Sequence, residues 1–260
     1  MKLIILAAGE GKRLRPLTNN SPKCLVKLKG KSLLSHQLYA IKANSISSQD
    51  IAIVGGYQYQ DLKDFGCKLF NNVRFSSTNM VSTLFCASDF MAEDEDLIIS
   101  YGDIVYEKKI LEALLSSDAE LSVVADKSWE RLWRLRMSNP LDDAETFIMD
   151  EKQNIRELGK RPHSISQVQS QYIGLIKVRR DKIKELKDVY HKMDRESIYD
   201  GQDFDNMYMT SFIQYLINSQ WEVKATVIDN GWLEVDTIED LERYESLSKR
   251  SLDSYCFLRG

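Results

Sequence analysis

A short, unbroken apolar run, Leu3-Ile4-Ile5-Leu6, gives way within three residues to Gly9 and Gly11, and no other feature constrains this chain more. A strand with one wet face alternates apolar and polar residues. This one does not, so it is read as a strand buried on both faces, the habit of parallel sheets covered by helices on either side. A glycine-broken loop straight after such a strand is read as a phosphate-binding turn.

The rest of the chain repeats the strand-helix theme. Leu33, Leu34, Leu38 and Ile41 follow helical spacing between Ser32 and Ala43, and Ile51 to Val54 forms a second buried strand ending at Gly55-Gly56. Further elements follow as a helix around Thr83 to Phe90, a strand Leu97 to Ser100, a helix Lys108 to Leu115 and a strand Leu121 to Ala125. Such alternation predicts an α/β fold with a mostly parallel, doubly wound, Rossmann-like sheet. The rhythm lapses over about residues 127–170, a polar, aromatic-spotted stretch expected to be an insertion or lid. It resumes with a strand Tyr172 to Val178, helices Asp181 to His191 and Asn206 to Ile217, and a strand Val223 to Ile228. Thr237-Ile238-Glu239-Asp240 signs the start of a last helix as a capping box with Asp in place of Glu. Without an internal repeat or low-complexity linker, the expectation for residues 1–260 is a single domain carrying that insertion.

Composition narrows the function classes. A formal net charge of −4 argues against a protein that coats nucleic acid or an anionic membrane, both of which need surplus Lys and Arg. Cys24, Cys67, Cys86 and Cys256 contain no C-x-x-C pair, which fits reduced thiols better than disulfides or a zinc site. No stretch approaches a signal peptide or a membrane span, so a cytoplasmic location is expected.

The chemistry concentrates in Leu6-Ala7-Ala8-Gly9-Glu10-Gly11-Lys12-Arg13-Leu14-Arg15-Pro16-Leu17-Thr18, followed by Pro22-Lys23. Small residues let the backbone approach a ligand, its N–H groups can form a nest for phosphate oxygens, and Lys12, Arg13 and Arg15 offer charge to a polyanion. The run matches neither G-x-G-x-x-G nor the Walker G-x-x-x-x-G-K-[ST]. Two loop glycines alone are usually a turn. The strand, Arg13, Pro16 and Pro22-Lys23 together make the run more than that.

With Leu25 after Pro22-Lys23, this pattern resembles the signature of the sugar-phosphate and cholinephosphate nucleotidyltransferases. The resemblance implies that Leu6, Ala7, Ala8, Gly9, Gly11, Lys12 and Arg13 bind a nucleoside triphosphate, with Arg13 on the β and γ phosphates and Lys23 on the reacting ones. Lys23 and Arg13 are then the catalytic cations. It also implies that Asp103, in Tyr101-Gly102-Asp103, and Glu234 and Asp236, in Glu234-Val235-Asp236, hold Mg2+. Carboxylates at a strand's C-terminal edge suit that hard ion. Glu234 and Asp236 are two apart in an extended stretch and so share a side. Taken alone, Asp103 reads equally as a turn or cap residue and Asp236 as the cap of the last helix. Similarity to cytidylyltransferases adds Gly55, Asn79, Ser82 and Asp103 to the nucleotide site and implies CTP as the donor; Asn79 also reads simply as a helix start.

For the acceptor, Lys127, Trp129, Trp133, Arg136 and Glu145, then Tyr172, Asp205 and Tyr208, are the candidate binding residues. Trp129 and Trp133 share a helix face if the segment is helical, where such pairs are more often core than ligand wall. Carboxylates with Arg136 beside them would suit a zwitterion, which needs a charge of each sign near an apolar wall. These segments resemble cytidylyltransferases that act on small phosphorylated zwitterions. Phosphoglutamine enzymes of capsule phosphoramidate synthesis come first, then phosphocholine and aminoalkylphosphonate enzymes. The resemblance implies transfer of CMP from CTP to a small phosphorylated acceptor, L-glutamine phosphate foremost, with release of pyrophosphate. A sugar-1-phosphate nucleotidyltransferase stands as the second reading and a non-catalytic nucleotide sensor as the third; a homo-oligomer stays open.

Overall fold

A computed structural model describes residues 1–258. Its strands are β1 (Lys2–Ala7), β2 (Lys27–Leu28), β3 (Lys31–Ser32), β4 (Ile51–Gly55), β5 (Lys68–Asn71), β6 (Leu97–Tyr101), β7 (Ile104–Tyr106), β8 (Leu121–Asp126), β9 (Phe147–Met149), β10 (Ile155–Leu158), β11 (Gln171–Val178), β12 (Val223–Ile228) and β13 (Trp232–Glu234). The helices are α1 (Leu33–Ala43), α2 (Met80–Phe85), α3 (Lys108–Leu115), α4 (Trp129–Arg136), α5 (Ile183–Lys192), α6 (Met209–Asn218), α7 (Ile238–Ser246) and α8 (Lys249–Asp253).

Seven strands form one sheet in the order β12-β8-β11-β6-β1-β4-β5. Strand β1 pairs in parallel with β4 and β6, β4 with β5, and β12 with β8, while β11 runs antiparallel to both its neighbours. The sheet is therefore mostly parallel. The chain turns back through residues 127–170 to lay β11 beside β8 in the opposite direction, and that return accounts for the antiparallel pairs.

The unbroken apolar run works as its pattern requires. Leu3 and Ile5 pack with α1, α3, α4 and α7 on one side of the sheet; Ile4 and Leu6 pack with α2, α5 and α6 on the other. Helix α1 starts at Ser32, whose hydroxyl accepts from the Ser35 N–H, and α7 starts at the expected capping box between Thr237 and Asp240. Two expected helices are shorter than their sequence signals. Helix α2 ends at Phe85 and gives way to a separate turn, Ser88–Phe90, and α6 begins at Met209 rather than Asn206. Residues 127–170 hold α4 and the antiparallel pair β9–β10. All four cysteines are free, and no helix among the described residues is long and apolar enough to cross a membrane.

One buried carboxylate joins the end of β8 to the turn before β13. Asp126 is fully buried; its Oδ2 accepts from the Trp232 indole at 2.9 Å, and its Oδ1 accepts from the N–H groups of Ser128 at 2.8 Å and Asn230 at 3.0 Å. Removing it strands three donors in a dry place. Asp126→Ala is expected to lower the free energy of unfolding by about 3 kcal/mol in urea titrations, and a loss under about 1 kcal/mol would contradict the bridging role.

Candidate active site

The glycine loop owes its shape to two contacts. Gly11 adopts a left-handed backbone with φ 62°, and a Cβ there would stand 3.0 Å from the Lys23 Cβ. No other residue type meets both conditions without strain, so glycine lets the Lys23 side chain close against the loop. The Thr18 hydroxyl donates to the Gly11 carbonyl at 2.7 Å, and buried Leu14 anchors the turn Lys12–Leu14 while Arg13 reaches outward.

Asp103 stands on the turn between β6 and β7. Gly102 lets that turn touch β1: its N–H donates to the Leu6 carbonyl at 2.9 Å, and a Cβ would lie 2.6 Å from the same oxygen. From beneath, the fully buried Gln37 of α1 donates to the carbonyls of Tyr101 at 2.9 Å and Ile104 at 2.8 Å and accepts from the Ser100 hydroxyl. Glu234 and Asp236 arrive on a separate arm. Strand β13 pairs antiparallel with β7, setting Glu234 opposite Ile104, and the Val235 N–H donates to the Asp103 carbonyl at 3.0 Å. As a result, carboxylate oxygens of Asp103, Glu234 and Asp236 lie within 4.8 Å of one another.

Cations balance this cluster. The Lys23 ammonium bridges Asp103 Oδ2, at 2.6 Å, and Asp236 Oδ1, and Arg13 Nη2 meets Asp236 Oδ2 at 2.6 Å. Burial by itself would lower the Lys23 pKa, but Asp103 and Asp236 outweigh it and hold the ammonium charged. Burial likewise works to raise Asp236, and Lys23 and Arg13 overcome it, so this carboxyl sits below the usual range. Glu234 is pushed upward, by burial first and then by Asp236 and Asp103, against the pull of Arg136. Asp103 Oδ1 is buried and accepts no hydrogen bond among the described residues.

Three cavities meet at the cluster, and each is lined by one of its carboxylates. The first, about 310 Å³, has Asp236 with Gly11, Lys12, Arg13, Lys23 and Ser76. The second, about 140 Å³, has Asp103 with Leu6, Ala8, Gly9, Asn79 and Tyr101. The third, about 170 Å³, has Glu234 with Trp133, Asp143, Glu145, Tyr172 and Tyr208. Phe75 is common to the first two, and Met80 and Tyr101 to the second and third. Most expected residues thus converge from well-separated segments of chain. Residues outside the expected set join them: Met80, Asp143, Gln171 and Thr210, from the segments around the expected residues, and Phe75 line the cavities, and Gln37 supports the Asp103 turn. Gln37 sits on the buried face of a helix, so a polar residue at an apolar position of α1 was the one available sign.

Other expected residues lie elsewhere. Gly55 lines none of these three cavities and packs tightly, since a Cβ would sit 2.7 Å from that of Tyr59. Ala7 is packed behind Gly102. Ser82 donates to the Asp205 carbonyl at 3.0 Å, and the Asp205 side chain pairs with Arg74; both brace the Asn79 turn. Lys127 is exposed beside Asp229. Trp129 is core: its indole donates to the Val168 carbonyl at 3.0 Å, and its ring packs edge-on against Trp133 at 5.9 Å. Arg136 stands behind the third cavity rather than in it, because Glu234 and Asp240 consume its hydrogen bonds.

Burial dominates the electrostatics of the third cavity. It raises the Glu145 carboxyl to about 7, helped by Asp143 and Asp200. The Glu145 side chain has no ion pair or hydrogen bond among the described residues, and no Lys or Arg lines this space.

Residues 3–169 match the MobA-like NTP transferase domain. The chain is 45% identical over 251 residues to the CTP:phosphoglutamine cytidylyltransferase of Campylobacter jejuni, which covers 93% of this chain and 98% of that one. It is 40% identical over 96 residues, 35% of its own length and 41% of the other's, to the choline-phosphate cytidylyltransferase of Streptococcus pneumoniae. In three dimensions it resembles the inositol-1-phosphate CTP transferase from T. maritima, with a TM-score of 0.75 at 18% identity over 99% of this chain and 95% of that one. The strand, the glycine loop and these likenesses agree: the chain is a nucleotidyltransferase and belongs to the MobA-like NTP transferase family.

Proposed function

We propose that this nucleotidyltransferase transfers CMP from CTP to the phosphate of a small cationic or zwitterionic acceptor, with L-glutamine phosphate the first candidate. The observation that carries the reading is the meeting of three cavities at one carboxylate cluster. A cation-rich cavity suits the triphosphate, the cavity at Asn79 suits the nucleoside, and the carboxylate-lined cavity suits the acceptor's amine. Near identity in length with the Campylobacter phosphoglutamine enzyme supports both CTP and this acceptor. A cytoplasmic reaction, where CTP is available, fits the free cysteines.

An acceptor phosphate oxygen attacks the α-phosphorus in line, the bond from that phosphorus to the bridging oxygen breaks, and pyrophosphate departs. No general base is needed, since a phosphate monoester has a second pKa of about 6 and is ionised near neutrality. The difficulty is to hold two anions together. Lys23 and Arg13, engaged by carboxylates in the free protein, supply that charge to the phosphates. The donor set suits Mg2+: Asp103 and Asp236 offer hard carboxylate oxygens with Glu234 beside them, and the unpartnered Asp103 Oδ1 is available to an ion. Such an ion would neutralise charge on the phosphates and the departing pyrophosphate.

At the acceptor end, Glu145 receives the ammonium against a wall made by Trp133, Tyr172 and Tyr208. An ionised carboxylate is required there. Acceptor kcat/KM is expected to fall as pH drops through about 7, and Glu145→Gln should flatten that limb and raise the acceptor KM with the CTP KM unchanged. Stability has the opposite sign. The folded-state pKa lies above the unfolded value of about 4.3, so the stabilising contribution is full below the unfolded pKa and is lost as pH rises through about 7. Glu145→Gln should therefore raise Tm at pH 8 more than at pH 5. A variant with an unchanged pH profile and unchanged Tm removes Glu145 from the acceptor site.

Lys23→Ala and Asp103→Asn are each expected to slow turnover about a hundredfold or more, equivalent to ~3 kcal/mol of barrier, with circular dichroism unaltered. Near wild-type rates would sink the catalytic assignment. The donor and acceptor are tested by pyrophosphate release from CTP, UTP, dTTP, ATP and GTP. Acceptors to pair with each are L-glutamine phosphate, phosphocholine, 2-aminoethylphosphonate and glucose 1-phosphate. Highest kcat/KM for CTP with L-glutamine phosphate is expected. A preference for glucose 1-phosphate would move the chain to the sugar-phosphate enzymes, and silence with every pair would favour a nucleotide sensor.

A further inference from the structure

We propose that Arg136 is a positioning residue that aims the Glu234-Val235-Asp236 arm at the catalytic ion, an inference that rests on the metal reading above. Its side chain is 2% exposed, so it is shut off from solvent. Nη1 donates to Glu234 Oε2 at 2.6 Å, while Nε and Nη2 donate to the two oxygens of Asp240 at 3.1 and 3.2 Å. Asp240 Oδ2 in turn accepts from the N–H groups of Asp236 at 3.0 Å and Thr237 at 3.1 Å. One guanidinium therefore reaches both ends of the arm: Glu234 through its carboxylate and Asp236 through its backbone. Among the described residues, Glu234 has no other ion-pair partner.

The same residue reaches the acceptor wall. Its guanidinium stands 5.1 Å from the Trp133 ring centroid, and Nη1 lies 3.8 Å from Asp143. Trp133, Asp143 and Glu234 all line the acceptor cavity. Arg136 ties helix α4, and with it one wall of that cavity, to the arm that carries two of the three carboxylates. A planar fork is suited to this because it holds two carboxylates at fixed angles, which a lysine ammonium does not.

The test uses Mn2+ as probe, with stoichiometric α,β-methylene CTP, and reads the free-ion EPR signal of the full chain. Arg136→Met is expected to weaken Mn2+ binding tenfold or more and to raise the acceptor KM, with the KM for CTP moved least. Arg136→Lys should fall between. Asp240→Asn, which cuts the support of Asp236 but leaves the contact to Glu234, should weaken Mn2+ binding less. If Arg136→Met is folded by circular dichroism and binds Mn2+ as the wild type does, the proposal is overturned. If it does not fold, wild-type Mn2+ affinity in both Arg136→Lys and Asp240→Asn overturns it instead. Asp103→Asn separates the two levels: unchanged Mn2+ binding there defeats the metal reading itself, whereas lost binding there with retained binding in the Arg136 variants defeats only the role of Arg136.

Discussion

The Lys23 ammonium, held between Asp103 and Asp236, is the contact around which the rest of the site is arranged. It joins segments separated by 80 and 213 residues along the chain. Each group is largely shielded from water, and buried charges persist only when paired. Other features follow from keeping that triad closed. Gly11 has no Cβ because the Lys23 side chain must come near, Gly102 has none because the Asp103 turn must rest on β1, and Gln37 is buried so that this turn has donors beneath it.

Charge is distributed unevenly about this centre. The first cavity carries Lys12, Arg13 and Lys23 against Glu10 and Asp236, whereas the third carries Asp143, Glu145 and Glu234 with no lining cation among the described residues. Under the proposed reading, an acceptor with a phosphate at one end and an amine at the other is oriented by this field, phosphate toward Lys23 and amine toward Glu145. A sugar phosphate, which has no amine, would bring Glu145 no cation, and a buried carboxylate without a partner is costly to ionise.

Much of the fold was legible in residue order because each element answers to a local rule. The unbroken run at Leu3 to Leu6 signals burial on two faces, and the structure divides it between two helical layers. Thr237 and Asp240 form the capping box their spacing predicts. Strands β2, β3, β5, β7, β9, β10 and β13 were not legible, being two to four residues long and defined by their partners rather than by any periodicity of their own. The antiparallel placement of β11 also escaped, since a strand's direction depends on the path of the preceding segment.

At the site, sequence alone determined the chemistry-bearing types in their local frames: a glycine loop after a buried strand, Arg13 and Lys23 following it, and acidic residues at the ends of later extended stretches. These are short-range patterns, set by backbone geometry within a few residues. Tertiary structure alone decided which side chains meet. Trp129 and Trp133 share a helix face, yet one is core and the other lines a cavity; Arg136 looks like a zwitterion's partner and is instead enclosed by Glu234 and Asp240. Burial and partnering depend on residues a hundred positions away, and the physical reason is that a charged or aromatic side chain takes its role from whatever satisfies it, not from its neighbours in the chain.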